Sequence, residues 1–327
     1  MCTWRGSYFE TDEFFSLSLH ILSVIQVPLD VLGTYIIVFK TPSNMKKVQF
    51  SMLVIHLTCF LSDVTMNVLV VPYTFFSAAV GYPMGVLTWF GVPTMFQVYS
   101  GFTSVMLLGP ALVLFFEDRY NHLVRLDSDT RSRFIKRCIH FGSYYFLTFI
   151  CMIPLFFEIP SLQNAKKLTY NEFPCLPQNV FEKPGVFMLT SNTGPAMACL
   201  FSFFFISACQ AFYFTFRVMF HLSKQKGLSR KTYCMQKKFF KSLCVQVFVP
   251  ILVLAPPALC LIISGVFRHV DMLFTNISII WLTTHGIFST ITMLCVHKAY
   301  REATVDILLR RKRPTISSLS RNSVNMF

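Results

Sequence analysis

Charged side chains are scarce in this sequence, and their scarcity excludes an ordinary soluble protein. Of the 327 residues, 13% are charged and 54% are hydrophobic, with 37 phenylalanines, whereas a soluble domain carries about 25% charged residues. So little polar surface could not cover the apolar side chains in a fold of this size. We therefore expect lipid to be the solvent for much of the chain.

Several catalytic and metal-binding patterns are also missing from the sequence. The 11 cysteines are spread through apolar runs without a CxxC or Cys/His spacing, which excludes the usual zinc sites and a dense disulfide framework. There is no Ser/His/Asp set, P-loop or HExxH motif. We therefore expect neither an enzyme nor a bound cofactor or metal. Internal repeats, which transporters usually show, are absent as well.

Seven apolar runs are long enough to cross a bilayer as helices, because a crossing needs about 20 mostly apolar residues. They predict an all-α membrane protein built as a seven-helix bundle. Residues 1–13 would form an N-terminal tail, residues 297–313 an amphipathic helix on the membrane surface, and residues 314–327 a disordered tail. The predicted spans cover residues 14–39, 50–77, 93–116, 134–157, 186–216, 239–265 and 272–296.

The distribution of basic residues predicts the orientation of this bundle. Four alternate segments between and after the runs hold 24 of the 29 Lys and Arg residues. Because basic loops stay in the cytoplasm, this asymmetry places the N-terminus outside and the C-terminus in the cytoplasm. The net charge of +14 is then a topology signal, and we expect no nucleic-acid partner. The basic segments are residues 40–48, 118–137, 217–241 and 297–327.

Two acidic residues, Asp30 and Asp63, fall deep inside predicted spans. A charge at the bilayer centre costs at least ~2.5 kcal/mol, so such residues are candidates for function. Asp63, followed one turn later by Asn67, predicts a polar network or an ion site inside the bundle. The alternative is a protonated carboxyl hydrogen-bonded between helices, which is the interpretation we favour for Asp30. A catalytic dyad of the two carboxyls remains the one enzymatic alternative.

The third predicted run ends in a charged group at the bilayer edge, Glu117, Asp118, Arg119 and Tyr120. These side chains could simply stop the span, since charged groups can reach the headgroups there. Alternatively, an acid beside an arginine at low dielectric could hold a neighbouring helix until the helices move apart. Both interpretations are compatible with the position alone.

Five stretches, in order along the chain, resemble the nematode serpentine chemoreceptors of class H, within the larger Str group of seven-helix receptors. The resemblance covers about residues 14–301. The stretches are TPSNMKKVQFSMLVIHL, VPYTFFSAAVGYPMGVL, LFFEDRYNHL, NEFPCLP and HGIFSTITMLCVHKAYR.

The resemblance implies a GPCR-like chemosensory receptor in the plasma membrane of sensory-neuron cilia. Its partners would be an odorant or pheromone-like small molecule, a heterotrimeric G protein and membrane lipids. Glu117 to Tyr120 would correspond to the acid-Arg-Tyr switch of rhodopsin-like receptors. The Asn-Pro-x-x-Tyr and Trp-Pro motifs of those receptors are absent. The alternatives are a small-molecule transporter or a ligand-gated seven-helix channel, although such channels have the opposite orientation.

A ligand pocket in such a bundle would form among the outer halves of the spans. Its polar candidates are Gln97, Tyr99, Asn192 and His285, although a lone polar side chain on a membrane helix often serves an interhelical hydrogen bond instead. On the cytoplasmic side we expect a basic surface to contact lipid headgroups and the G protein. This surface comprises Arg230, Lys231, Lys237 and Lys238.

Many such receptors tie the top of the third span to the second outer loop by a disulfide. This chain has no cysteine between Cys59 and Cys138, so its third span cannot form that disulfide. Cys2 and Cys175 are the cysteines on the predicted outer side. The sequence leaves open whether they form a disulfide, which the oxidising environment on that side would allow.

Overall fold

Helices dominate this computed structural model, which describes residues 2–157, 159–190, 193–224 and 230–309. The helices are α1 (Asp12–Phe39), α2 (Lys46–Val64), α3 (Val86–Trp89), α4 (Thr94–Met106), α5 (Leu108–Val124), α6 (Arg131–Ile150), α7 (Ile153–Phe156), α8 (Leu162–Glu172), α9 (Thr193–Lys224), α10 (Arg230–Val266), α11 (Met272–Thr283), α12 (His285–Val296) and α13 (Lys298–Leu308). The short strands are β1 (Cys2–Thr3), β2 (Pro72–Phe75), β3 (Val80–Pro83), β4 (Phe187–Met188) and β5 (Val270–Asp271).

Within the described ranges, six helical stretches are long and apolar enough to cross a membrane. α6, which corresponds to the fourth predicted run, is not among them. Its first two turns are strongly basic, and its apolar continuation breaks into a turn at Cys151 and Met152 before the short α7. Length and composition therefore account for six of the seven predicted runs. The six stretches are Asp12–Phe39, Lys46–Val70, Thr94–Val124, Ala198–Lys224, Tyr233–Val266 and Met272–Val296.

The largest difference from the predicted spans is at the end of the second run. The sequence predicted a helix as far as residue 77. After α2, a π-helical turn ends at Val70, and Val71 adopts a left-handed φ of 45°. That conformation is strongly disfavoured for a β-branched residue, and it ends the helix. The chain then forms an antiparallel hairpin in which Pro72 pairs with Pro83. β4 adds to this hairpin and gives the sheet order β2-β3-β4.

The other runs also differ in detail from the predicted spans. A break at Leu107 divides the third run into α4 and α5, and α5 continues eight residues beyond the predicted end, to Val124. In the fifth predicted run, α9 begins only at Thr193, after β4. The last run is divided at Thr284.

Buried side chains form two large apolar clusters at opposite ends of the bundle. One contains Phe15 of α1 and Leu261 of α10, and the other contains Ile37 of α1 and Phe240 of α10. Phe15 and Ile37 are separated by about 33 Å along a helix that rises 1.5 Å per residue. α1 and α10 therefore run in opposite directions. We call the first cluster's side the disulfide end and the second cluster's side the arginine end, after features described next.

Candidate functional site

Two buried acids at the arginine end of α5 bind two arginines of α6. Glu117 is 3% exposed and accepts hydrogen bonds from Arg133 Nη2 at 2.5 Å and Arg137 Nε at 2.8 Å. Asp118 accepts a bond from Arg137 Nη2 at 3.0 Å and another from Ser51 Oγ of α2 at 2.9 Å. We call Glu117, Asp118, Arg133 and Arg137 the ionic cluster. It joins α2, α5 and α6 at one point.

The local sequence explains how the ionic cluster forms. Arg133 and Arg137 are four residues apart on α6, so they lie on one helix face. The hydroxyl of Thr130 accepts a bond from the Arg133 backbone amide at 3.3 Å and starts the helix there. Charge-assisted bonds offset much of the cost of burying the two carboxylates. From the sequence, Arg133 and Arg137 were expected only to add to a basic cytoplasmic segment, although their four-residue spacing was a signal of a shared helix face.

Arg119 and Tyr120 face other parts of the bundle. Arg119 is 3% exposed and lies close enough to His297 and Tyr300 to affect both of their pKa values. The Tyr120 ring packs against Phe214 of α9, with centroids 5.3 Å apart. The hydrogen bonds that Glu117 and Asp118 accept from Arg133 and Arg137 therefore run to α6, and Asp118 also lies 3.5 Å from His122 on its own helix. The four predicted switch residues together contact four neighbouring elements.

α13 is docked on the arginine end of the bundle through two buried residues. The Tyr300 side chain is fully buried, and its hydroxyl lies 2.8 Å from Thr41 Oγ1. His297 Nε2 lies 2.9 Å from Gln246 Oε1 of α10. Burial, together with the nearby Arg119, lowers the pKa of His297 to about 4, so this imidazole is neutral near pH 7. The amphipathic helix predicted over residues 297–313 therefore packs against the bundle in the part that the structure describes.

Asp63 and Asn67 belong to a polar layer in the middle of the bundle. Asp63 is 3% exposed, and its Oδ1 lies 3.6 Å from His285 Nδ1. Asn67 Nδ2 donates to Gln26 Oε1 of α1 at 3.2 Å. We call the buried polar residues of α1, α2, the π-helical turn after α2, and α12 at this level the polar layer. They are Gln26, Asp30, His56, Asp63, Asn67, His285 and Thr290.

Asp30 takes part in the same layer. Thr290 Oγ1 donates to Asp30 Oδ1 at 2.6 Å, and the backbone carbonyl of Asp30 lies 3.0 Å from His56 Nε2. Gly286 allows α12 to approach, because a Cβ there would overlap the Asp63 carboxylate and lie 2.5 Å from Gln26 Nε2. Among the described residues, no group of three or more His, Cys, Asp and Glu side chains could hold a metal ion.

The described candidates for the ligand pocket engage three different parts of the protein. Gln97 bonds to Val92 O at 2.8 Å and to Thr88 Oγ1 at 3.2 Å, which fixes the loop before α4. The Tyr99 hydroxyl donates to Phe149 O of α6 at 2.6 Å. His285 Nδ1 lies 2.9 Å from Leu282 O in the polar layer. Each therefore has a structural partner of its own, and Asn192 lies outside the described residues.

The predicted basic surface is described in part. Lys237 and Lys238 are exposed on α10, and the Lys237 ammonium lies 5.8 Å from the centre of the Tyr233 ring. Arg230 and Lys231 begin the same helix, and their side chains lie outside the description. α10 thus presents cations at the arginine end.

At the other end, Cys2 and Cys175 are joined by a disulfide. β1 pairs in parallel with β5, and the Arg5 guanidinium donates two bonds to the Asp271 carboxylate at 2.8 and 2.7 Å. Burial opposes ionisation of Asp271, but the bonds from Arg5 outweigh it and hold its pKa below the usual value. We call residues 2–11 the N-terminal strap. The attachment of the strap to residue 271 was not predicted, because nothing in the local sequence connects the two segments.

The chain is a helical, multi-pass membrane protein with a charged group buried at one end. Residues 10–310 match the family model described as serpentine type 7TM GPCR chemoreceptor Srh, and the chain belongs to that family. It is 24% identical over 329 residues to Serpentine receptor class H-72 of Caenorhabditis elegans. The alignment covers 96% of this chain and 91% of that protein. The resemblance to class H is therefore confirmed. The family is one of receptors, not of enzymes.

Proposed function

We propose that this protein is a chemosensory receptor that binds an odorant or pheromone-like small molecule and activates a heterotrimeric G protein. The family match across residues 10–310 is the observation that carries the proposal. The ionic cluster supports it. The cluster holds α5 against α6 at the arginine end, and a buried set of charges is suited to switching between two arrangements.

In the proposed orientation, the arginine end faces the cytoplasm and the strap faces outward. The distribution of Lys and Arg supports this orientation, and α6 with α7 supplies the seventh crossing. The receptor would reside in the plasma membrane, in sensory-neuron cilia. Lys237 and Lys238, exposed on α10, would then contact lipid headgroups and the G protein, as would Arg230 and Lys231.

The proposal is tested by replacing Arg119 with alanine in cells that express a promiscuous Gα subunit. We expect R119A to reach the cell surface and to lose most ligand-driven signalling, because Arg119 lies between the ionic cluster and α13. R131A is the matched control, since Arg131 is an exposed arginine at the start of α6. Equal signalling by R119A, R131A and the unmodified receptor at equal surface density would refute the switch role of Arg119.

The alternative of a ligand-gated channel predicts the opposite orientation. An epitope tag at each terminus, stained with and without permeabilisation, distinguishes the two. We expect the N-terminal tag to be stained in intact cells and the C-terminal tag only after permeabilisation. The reverse pattern would favour the channel.

A further inference from the structure

A cavity opens between α10 and α11 at the disulfide end, away from the polar ligand-pocket candidates of the sequence analysis. Its volume is about 370 Å³, which lies within the 300–1,000 Å³ typical of small-molecule sites. Exposed Phe267 and Phe274 stand at its rim. Its back wall includes the buried Leu261, Thr275 and Ser278. The cavity therefore reaches from the outer surface of the bundle to its interior.

The cavity opens sideways, towards lipid. α10 and α11 both lie in stretches that are long and apolar enough to cross a membrane, so their exposed apolar side chains meet acyl chains. Ile263 and Phe274, two residues beside the opening, are 53% and 59% exposed. A molecule dissolved in the membrane can thus reach the cavity without crossing water.

The N-terminal strap packs against α11 at the disulfide end. The strap lies over the start of α11, where Asn276 Nδ2 donates to Phe9 O at 3.0 Å. The strap is also joined to the hairpin, because the Tyr73 hydroxyl donates to Glu10 O at 2.6 Å. The strap therefore fixes the position of α11, which forms one wall of the cavity.

The accessible surface of the wall is almost entirely apolar, although His269 and Asp271 also line the cavity. Both are engaged with the N-terminal strap, because Asp271 accepts two bonds from Arg5 and His269 Nε2 lies 3.2 Å from Thr3 Oγ1.

One hydroxyl of the wall remains for a ligand. Ser264 Oγ donates to His269 O at 2.6 Å, and Thr275 Oγ1 donates to Asp271 O at 2.8 Å. None of the hydrogen bonds found among the described residues uses the Ser278 hydroxyl, although Ser278 is only 5% exposed. A buried hydroxyl gains from a partner. An apolar ligand with one oxygen supplies that partner without bringing a charge into the cavity.

We infer that this cavity binds a neutral, mainly apolar molecule that partitions into the membrane and pairs its one hydrogen-bonding oxygen with Ser278. Medium-chain ketones, alcohols and esters have this chemistry. The inference rests on the proposed receptor function for its signalling role, but the binding itself can be measured without a G protein.

The test uses the purified full-length receptor in lipid nanodiscs and a nine-carbon 2-alkanone that carries a mid-chain diazirine. After photolysis, we expect labelling within residues 260–278 that saturates and is competed by 2-nonanone, 1-nonanol or methyl octanoate. C260F should abolish this labelling by filling the cavity. L259F is the matched control, because Leu259 is the neighbouring exposed residue and does not line the cavity.

Ser278→Ala separates the polar contact from simple partitioning. Loss of one hydrogen bond should weaken competition by 2-nonanone roughly 2- to 12-fold, whereas competition by nonane should not change. Equal effects on the ketone and the alkane would refute the role of Ser278.

Labelling of residues 260–278 that excess ketone does not reduce would mean contact with bulk lipid only and would overturn the site. Saturable labelling elsewhere, or full labelling of C260F, would overturn it as well. A receptor that signals but is not labelled here contradicts the cavity and leaves the proposed function intact. A receptor that is labelled here but never activates a G protein supports the cavity and contradicts the proposed function.

Discussion

Replacing Glu117 with glutamine tests whether the ionic cluster holds α5 against α6. Glu117 accepts bonds from two arginines, and a net charge-assisted bond contributes about 1.5–3 kcal/mol. The glutamine oxygen can still accept one of the two bonds, without the charge. The arginine side chains are 18% and 21% exposed, so water recovers part of the loss. We expect E117Q to destabilise the receptor by about 2–3 kcal/mol.

The measurement is the melting temperature of purified receptor in nanodiscs, followed by a dye that reacts with newly exposed cysteines. A loss of this size corresponds to a decrease of about 5 °C, at about 2 °C per kcal/mol for a large domain. The control is D127N, which makes the same charge change at an exposed pair in which Asp127 accepts a bond from Arg125 at 2.8 Å. It should leave the melting temperature unchanged. Equal melting temperatures for E117Q and D127N would refute the reasoning. So would a double variant of E117Q and R133Q whose decrease in melting temperature equals the sum of the two single decreases.

Three further predictions concern other parts of the fold. G286A should destabilise the protein by about 1–3 kcal/mol through overpacking. G142A should not destabilise it, because nothing lies within 4 Å of a new Cβ there. Thermal melting of both variants tests this. His297 binds a proton near pH 4 when folded and near 6.5 when unfolded, so stability should fall by up to ~3 kcal/mol as the pH drops from 6.5 to 4. H297Q should remove that slope in melting curves recorded against pH. C2S and C175S should lower the melting temperature equally, and the double variant should add nothing further; additive losses would contradict a single shared bond.

Composition and hydropathy predicted most of the membrane helices, because a long apolar run has few other stable forms in lipid. They failed at the end of the second run. Residues there are as apolar as those before them, and hydrophobicity alone does not distinguish a buried strand from a helix. Pro72 and Gly81 were the local signals of the hairpin. Its pairing with β4 depends on residues more than 100 positions away.

The candidate sites show the same division between local and distant information. The position of Glu117 at the end of an apolar run drew attention to it from sequence alone. Its partners, Arg133 and Arg137, could be assigned only once α6 was placed against α5. Arg5 and Asp271 are the extreme case, because the two members of the pair are 266 positions apart in the sequence.

The parallel pairing of β1 with β5 sets an order of events during biosynthesis. Thr3 leaves the ribosome long before its partner Asp271 exists. At 5–20 residues per second the interval is roughly 13 to 54 s. For that period the first residues are translated but have no strand to join. The strap can therefore pair only after residue 271 has been made, which is later than the synthesis of every helix from α1 to α10.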